Sequence, residues 1–333
     1  MVRAGRKGVA LDLFLEKSRL AVGWGKNVGD LTGAPTKAAI KAQVASAYPD
    51  ASPGKLGAVA GCLLKIRKVI QAGDVVVTYD PSYRQYHAGV VSSDYRYEPD
   101  EEFGHWREVN WLAQIDRDAL SDSTKYRLGS LLTVFEVESG AWAEIRARLS
   151  GASGAESSAQ EESDDESADE AEIVDPVEEA LEQAHEYRKD EIAALGPDEM
   201  EEFVACILRG MGYRARVSPK GPDRGRDVEA SPDGLGLEEP RIRVEVKHRE
   251  AKMGSQEVRA FLGALRPGDK GLYVSTGGFT REAMYEAERS QIPASLVDLD
   301  RLAELYVEFY EELSPEDRRL VPLRRVYWPG GGA

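Results

Sequence analysis

The chain has 333 residues, 42% of them hydrophobic, and a formal net charge of -16; that length points to two domains or more. No uninterrupted apolar run approaches the roughly 20 residues of a membrane span. No small-residue cleavage site follows the basic N-terminus, and Cys62 and Cys206 are isolated, which speaks against a disulfide framework or a zinc site and for a cytoplasmic protein with no membrane contact. The acidic balance argues against a nucleic-acid partner only if it is uniform, because phosphate binding rests on Lys and Arg. It is not uniform: residues 151–180 hold 12 acidic residues and no basic one, while residues 1–150 carry 20 Lys or Arg against 18 Asp or Glu.

Residues 1–150 read as one mixed domain. A short apolar strand is expected at Ala21–Gly25, then the loop GDLTG, then helices over Lys37–Tyr48 and Leu56–Ile70. Strand-like runs follow at 75–79, 87–97 and 107–112, rich in β-branched and aromatic residues, and imply a curved sheet or small barrel. A last strand over Leu131–Val137 and a helix over Ala141–Leu149 close the domain.

Residues 151–175 are small, polar and acidic without an aromatic residue, so they cannot bury enough apolar surface to offset ordering, and a disordered linker is expected. A solvated tether is the plain role; imitation of nucleic acid at a basic face is the sharper one. A connecting helix is expected over 176–196. The next domain, 197–313, with a tail to 333, opens on a helix at Pro197 whose Met200, Phe203, Val204, Ile207, Leu208 and Met211 share one buried face. The order onward is three strands, helix, strand, helix, strand, helix, which implies an α/β sandwich with a mixed central sheet. Ser255 and Thr280 are suited to cap two of those helices.

The chemistry concentrates in Gly225–Lys247. Asp227 falls on one strand, and Glu245 and Lys247 share a face of the next because side chains alternate along a strand. Two carboxylates and a lysine are equipment for phosphodiester hydrolysis assisted by a hard divalent cation. Glu-x-Lys alone is common on solvated faces. Here it interrupts an apolar strand, has a second acid on the preceding strand, and is flanked by helices bearing Glu202 and Gln256.

The blocks EEFVACILRGMGY, GRDVEA, RVEVKH, EVRAFLGAL, GLYVSTGGFTREA and VDLDRLAELY, spread from about Asp198 to Tyr310, resemble in order and content the Mrr-like branch of the PD-(D/E)xK restriction endonucleases. The resemblance implies a core of αβββαβ order, Mg2+ (or Mn2+) held by Asp227, Glu245 and Val246, and Lys247 serving the attacking water. Gln256 and Glu202 match polar family positions near the site.

In the first domain Trp24 stands between glycines, and Tyr97 and Trp106 stand among Asp, Glu, Gly and His. Exposed aromatics of this kind stack on bases taken out of a helix. The run IRKVIQAGDVVVTYD, AGVV, REVNWL is similar in order to the PUA-like superfamily, in particular its EVE and YTH readers of modified bases. That resemblance implies a base pocket with Trp24 as one wall, Trp106 or Tyr97 as a second, and Asp30 accepting from an exocyclic amine. Together the halves resemble a type IV, modification-dependent restriction endonuclease acting on double-stranded DNA, with methylcytosine the expected base and a homodimer one route to double-strand cleavage. A repair or junction nuclease without modification specificity, and a non-cleaving nucleic-acid sensor, are the alternatives.

Overall fold

The computed structural model describes residues 1–5, 8–130, 132–149, 176–219, 227–248 and 251–327. The expected linker, 151–175, lies outside the described residues, as do Gly225 and Arg226 of the motif stretch. The chain divides into two compact units, Met1–Ala180 and Leu181–Ala333.

The first unit contains α1 (Leu11–Glu16), β1 (Arg19–Val22), α2 (Gly25–Val28), α3 (Lys37–Ala47), α4 (Pro53–Leu64), β2 (Val75–Asp80), β3 (Gln85–Val91), β4 (Arg96–Tyr97), β5 (His105–Asp116), α5 (Asp122–Leu128) and α6 (Ser139–Leu149). Thr36 starts α3 by accepting from Ala39 N at 3.2 Å, and Ser52 starts α4 by accepting from Lys55 N at 3.3 Å, with Pro53 in the first turn. The strands form a curled antiparallel half-barrel in the order β1-β5-β3-β2, with β4 paired to β5. Gly89 sits at a register shift where an added Cβ would lie 2.6 Å from Asn110 O, so the bend needs glycine.

α4 runs into a π-helical stretch, Lys65–Val69, whose carbonyls meet a buried cation. Arg107 on β5 donates to Ile66 O and Arg67 O at 2.7 Å each and to Ser93 O at 3.1 Å. One guanidinium thus satisfies carbonyls that a helix end leaves over and ties the helix to the sheet. Phe14, Leu20, Ile40, Val44, Leu63, Ile66 and Val109 belong to one core; Val77, Tyr86, Ile115, Leu128 and Ile145 belong to a second.

Two expectations change here. The 87–97 run is broken, because Ser93 accepts from Glu108 N and its carbonyl is held by Arg107, which turns the chain between β3 and β4. Residues 132–137 make no strand: Val134 forms an isolated bridge with Val2, and the neighbouring bonds go to Met1 and Arg3, a partner segment too short to extend a ladder. Leu131 lies outside the described residues.

α7 (Pro176–Ala193) leads into the second unit, which continues with α8 (Pro197–Gly210), β6 (Arg214–Val217), β7 (Val228–Ser231), β8 (Arg241–Lys247), α9 (Ser255–Ala264), β9 (Asp269–Ser275), α10 (Arg281–Glu288), β10 (Ala294–Asp298) and α11 (Leu299–Glu308). The sheet order is β10-β9-β8-β7-β6, with β6-β7-β8 antiparallel and β8-β9-β10 parallel. Val228, Val244, Val246 and Val274 pack with Phe203 of α8 and Tyr306 of α11, whereas Tyr273 packs with Val258 and Phe261 of α9 and Ala283 of α10. Helices therefore cover both faces, the mixed sandwich that the order of elements predicts. Thr280 caps α10 as expected, through Ala283 N at 3.2 Å; α9 begins at Ser255 itself, with Gly254 as its cap. Among the described residues no helix is long and apolar enough to cross a membrane.

Candidate functional site

β7 begins and β8 ends at the same edge of the second sheet. Val228 is paired with Val244, the last pair of that antiparallel ladder, and Asp227 lies just before it. Asp227 N donates to Val244 O at 2.9 Å, Ser218 N donates to Asp227 O at 2.8 Å, and Val246 N donates to Asp227 Oδ2 at 2.6 Å. The carboxylate is therefore held by the backbone of the residue between Glu245 and Lys247. Val244 and Val246 point into the α8–α11 core, so Glu245 and Lys247 take the other face, where Lys247 Nζ lies 2.9 Å from Glu245 Oε1. Those two side chains are 17% and 34% exposed, within reach of a polymer substrate.

The donors fit a hard divalent cation. In a strand the N–H and C=O of one residue point to the same neighbour, so the Val246 carbonyl faces the side where Asp227 stands. An ionised carboxylate has about four lone-pair sites, so Asp227 can accept from Val246 N and still ligate. No group of three or more His, Cys, Asp and Glu side chains suited to a metal occurs among the described residues. Two carboxylates, a carbonyl and water are what Mg2+ takes in place of a full protein cage.

The remaining expected site residues divide. The β8-α9-β9 crossover brings the first turn of α9 to this edge, but the Gln256 side chain is exposed. Glu202 is engaged elsewhere: Arg209 Nη1 lies 2.8 Å from it and 2.7 Å from Asp317, and Arg209 Nε donates to Ala215 O. Sequence reasoning passed over His248, whose Nδ1 is 3.3 Å from Thr276 Oγ1 while Thr276 N donates to Lys247 O. Its place directly after Lys247 was the available signal.

In the first unit Trp24 adopts a left-handed backbone, φ 68°, and its carbonyl accepts from Asn27 N and Val28 N. It lines a cavity of about 610 Å³ together with Gly23, Tyr48, Phe103, Arg3 and Glu102. Asp30 belongs to a different cluster. Its Oδ1 accepts from Thr32 N and Oγ1, Gln43 Nε2 donates to its carbonyl, and Arg67 Nη2 donates to Thr32 O, which fixes the loop. Behind it Tyr95 Oη lies 2.8 Å from His105 Nδ1, and the Tyr97 ring lies 5.2 Å from that of His105. Burial pushes His105 down to about 4, against the opposing pull of Asp30; burial raises the Tyr95 phenol.

Trp106 stands apart from both. β4 pairs Arg96 with Trp106 and Tyr97 with His105, so Trp106 and Tyr97 take opposite faces of the sheet and cannot wall one pocket. Arg19 and Arg96 lie 5.1 Å and 5.4 Å from the Trp106 ring centroid, a cation–π clamp. The four expected pocket residues thus fall into three places: Trp24 at the cavity, Asp30 and Tyr97 beside His105, and Trp106 between arginines.

Residues 192–306 match a family model, Mrr_cat, described as restriction endonuclease. The second unit carries an Mrr-type restriction endonuclease domain. Residues 6–138 match a family model described as a domain of unknown function, DUF8426. Among solved structures the chain is similar to the MspJI restriction endonuclease in complex with a 27-mer oligonucleotide, at 16% identity over 70% of this chain and 58% of that one, with a TM-score of 0.30. It is similar also to the DNA modification-dependent restriction endonuclease AspBHI, at 16% identity over 90% of this chain and 77% of that one, with a TM-score of 0.32. No curated protein matches the chain. Asp227, Glu245 and Lys247 all lie within the span of the Mrr-type domain.

Proposed function

We propose that the protein is a modification-dependent DNA endonuclease in which the first unit binds a modified base of double-stranded DNA and the Mrr-type domain hydrolyses the backbone nearby. The observation that carries the reading is the joining of Asp227 Oδ2 to Val246 N, the backbone between the paired Glu245 and Lys247. Asp227, Glu245 and the Val246 carbonyl would hold Mg2+, which when bound acidifies a water and neutralises charge on the scissile phosphate. Lys247, a compact ammonium beside Glu245, orients the attacking water and follows the charge that develops on the phosphate oxygens.

The test is cleavage of otherwise identical duplexes carrying cytosine, methylcytosine, hydroxymethylcytosine or methyladenine, with Mg2+, with Mn2+ and with chelator. Metal-dependent cutting confined to a modified duplex, lost in Asp227→Asn with DNA binding retained, is the expected outcome. Equal cutting of modified and unmodified DNA would point instead to a repair or junction nuclease, and tight binding without any cutting to a sensor.

A further inference from the structure

The face of the second sheet that carries Glu245 and Lys247 continues away from them as a row of charged side chains. Ala215 and Val217 of β6, Val228 and Ala230 of β7, and Ile242 and Val244 of β8 pack toward the α8–α11 core. Alternation therefore turns Arg214, Arg216, Glu229, Arg241 and Arg243 to the opposite face. The registers align three of them across the strands: Arg216 is paired with Glu229, and Glu229 with Arg243. Arg216 Nη2 lies 3.4 Å from Glu229 Oε2, Arg243 Nη1 pairs with Glu229 Oε1, and Arg243 Nε lies 3.7 Å from Asp269 Oδ1. On this face α9 and α10 cover Tyr273 of β9. Toward β6 the row opens to solvent, with Arg216 68% exposed and Arg214 exposed on the same strand. Two residues along a strand span about 7 Å and two strand spacings about 10 Å, so the guanidiniums begin one pleat from Glu245 and lead away from it.

Asp227 and Glu245 at one sheet edge repel a polyanion, so a nucleic acid that reaches them must gain its attraction from side chains beyond them. A duplex gains affinity from each phosphate that a Lys or Arg neutralises, and such contacts position it without reading sequence. The chain as a whole carries a net charge of -16, which makes arginines in register beside the candidate site unlike their surroundings. Each guanidinium presents five donors in a fork that matches phosphate oxygens. Glu229 answers only one of the two charges that flank it, and Arg214 adds a third. We propose that Arg214 and Arg216, with Arg243 at the inner end, form a phosphate track along which the backbone of duplex DNA lies as it enters the candidate site. Glu229 tempers the grip of that track by its negative charge. The inference rests on the endonuclease reading above and adds to it the surface that carries the substrate.

The experiment measures binding of the full chain, in chelator so that nothing is cut, to a methylcytosine duplex and its plain counterpart over a series of salt concentrations. Arg216→Gln should weaken both complexes by the same factor and lower the slope of log affinity against log salt by about one; with Arg214→Gln added, the slope should fall by about two. Arg216→Lys keeps the charge and should restore the slope, while Glu229→Gln should tighten both complexes. Arg301→Gln is the control: Arg301 is 51% exposed on α11, on the other side of the sheet, so the variant changes net charge equally and should leave the slope as it is. Arg214 and Arg216 are exposed, and thermal melts establish that their variants fold. An unchanged slope in the Arg214→Gln, Arg216→Gln double variant, or an equal fall in Arg301→Gln, overturns the track, and wild-type cutting in Mg2+ then leaves the endonuclease reading standing. A wild type that cuts no duplex in Mg2+ or Mn2+ removes the endonuclease reading, whereas the salt slopes still decide whether this face binds the backbone.

Discussion

At the scale of single residues, two side chains hold positions that cost stability. A left-handed backbone at a non-glycine residue costs on the order of 1–3 kcal/mol and gathers at ligand clamps; Trp24 is such a residue, with φ 68°. Replacing it should therefore invert the usual order: Trp24→Gly should be more stable than Trp24→Ala by about 1 kcal/mol, read from urea midpoints, while both lose base discrimination. His105 supplies the second case. Its folded pKa is depressed to about 4 by burial, so between about 6.5 and 4 the unfolded chain binds a proton that the folded chain does not, and stability rises with pH across that window. Acidification from pH 7 to 4 should cost on the order of 3 kcal/mol through this residue. His105→Gln should flatten the stability–pH profile of the first unit by that amount relative to wild type; superimposable slopes would remove His105 as the cause.

At the scale of elements, the π-helical end of α4 depends on one arginine from β5. Arg107→Met keeps the volume of the stem but leaves the Ile66, Arg67 and Ser93 carbonyls without their donor, which should cost on the order of 3 kcal/mol in urea unfolding followed by tryptophan fluorescence. Sequence shows such a joint poorly, because nothing in REVNWL says that the arginine turns inward. It shows the candidate site well, and for a physical reason: Glu245 and Lys247 sit on one strand whose apolar neighbours declare its faces, and Asp227 is one strand away. The buried stripe of α8 and the Thr280 cap are legible for the same local reason. The first unit's pocket is not local. Its walls come from three separated segments, and the face that Trp106 takes is decided by its pairing with the two-residue β4, which no periodicity reveals. Glu202 shows a further limit: its spacing on α8 is right, but its partner Arg209 is fixed by Asp317, more than a hundred residues on.

At the scale of the whole molecule, the acidic tract 151–175 sets an expectation from composition alone. If residues 151–175 act as a loose tether, cuts should scatter over several distances from the modified base, and end-sequencing of limited digests should show a spread; one fixed distance would refute a loose connection. A lone catalytic centre severs one strand, so a homodimer or two successive nicks are needed for a double-strand break, and the dependence of cutting order on protein concentration distinguishes them. The bond from Val246 N to Asp227 Oδ2 bears on how such experiments are designed. The carboxylate proposed to hold the cation also pins the end of β8 to the start of β7, so an alanine there should silence cutting and unpin a strand end together. Asp227→Asn, which keeps an oxygen for Val246, and Glu245→Gln are therefore the variants with which to trap uncut DNA. A chain drifting toward inactivity would lose the second acid more readily than the first, since only the first is also masonry.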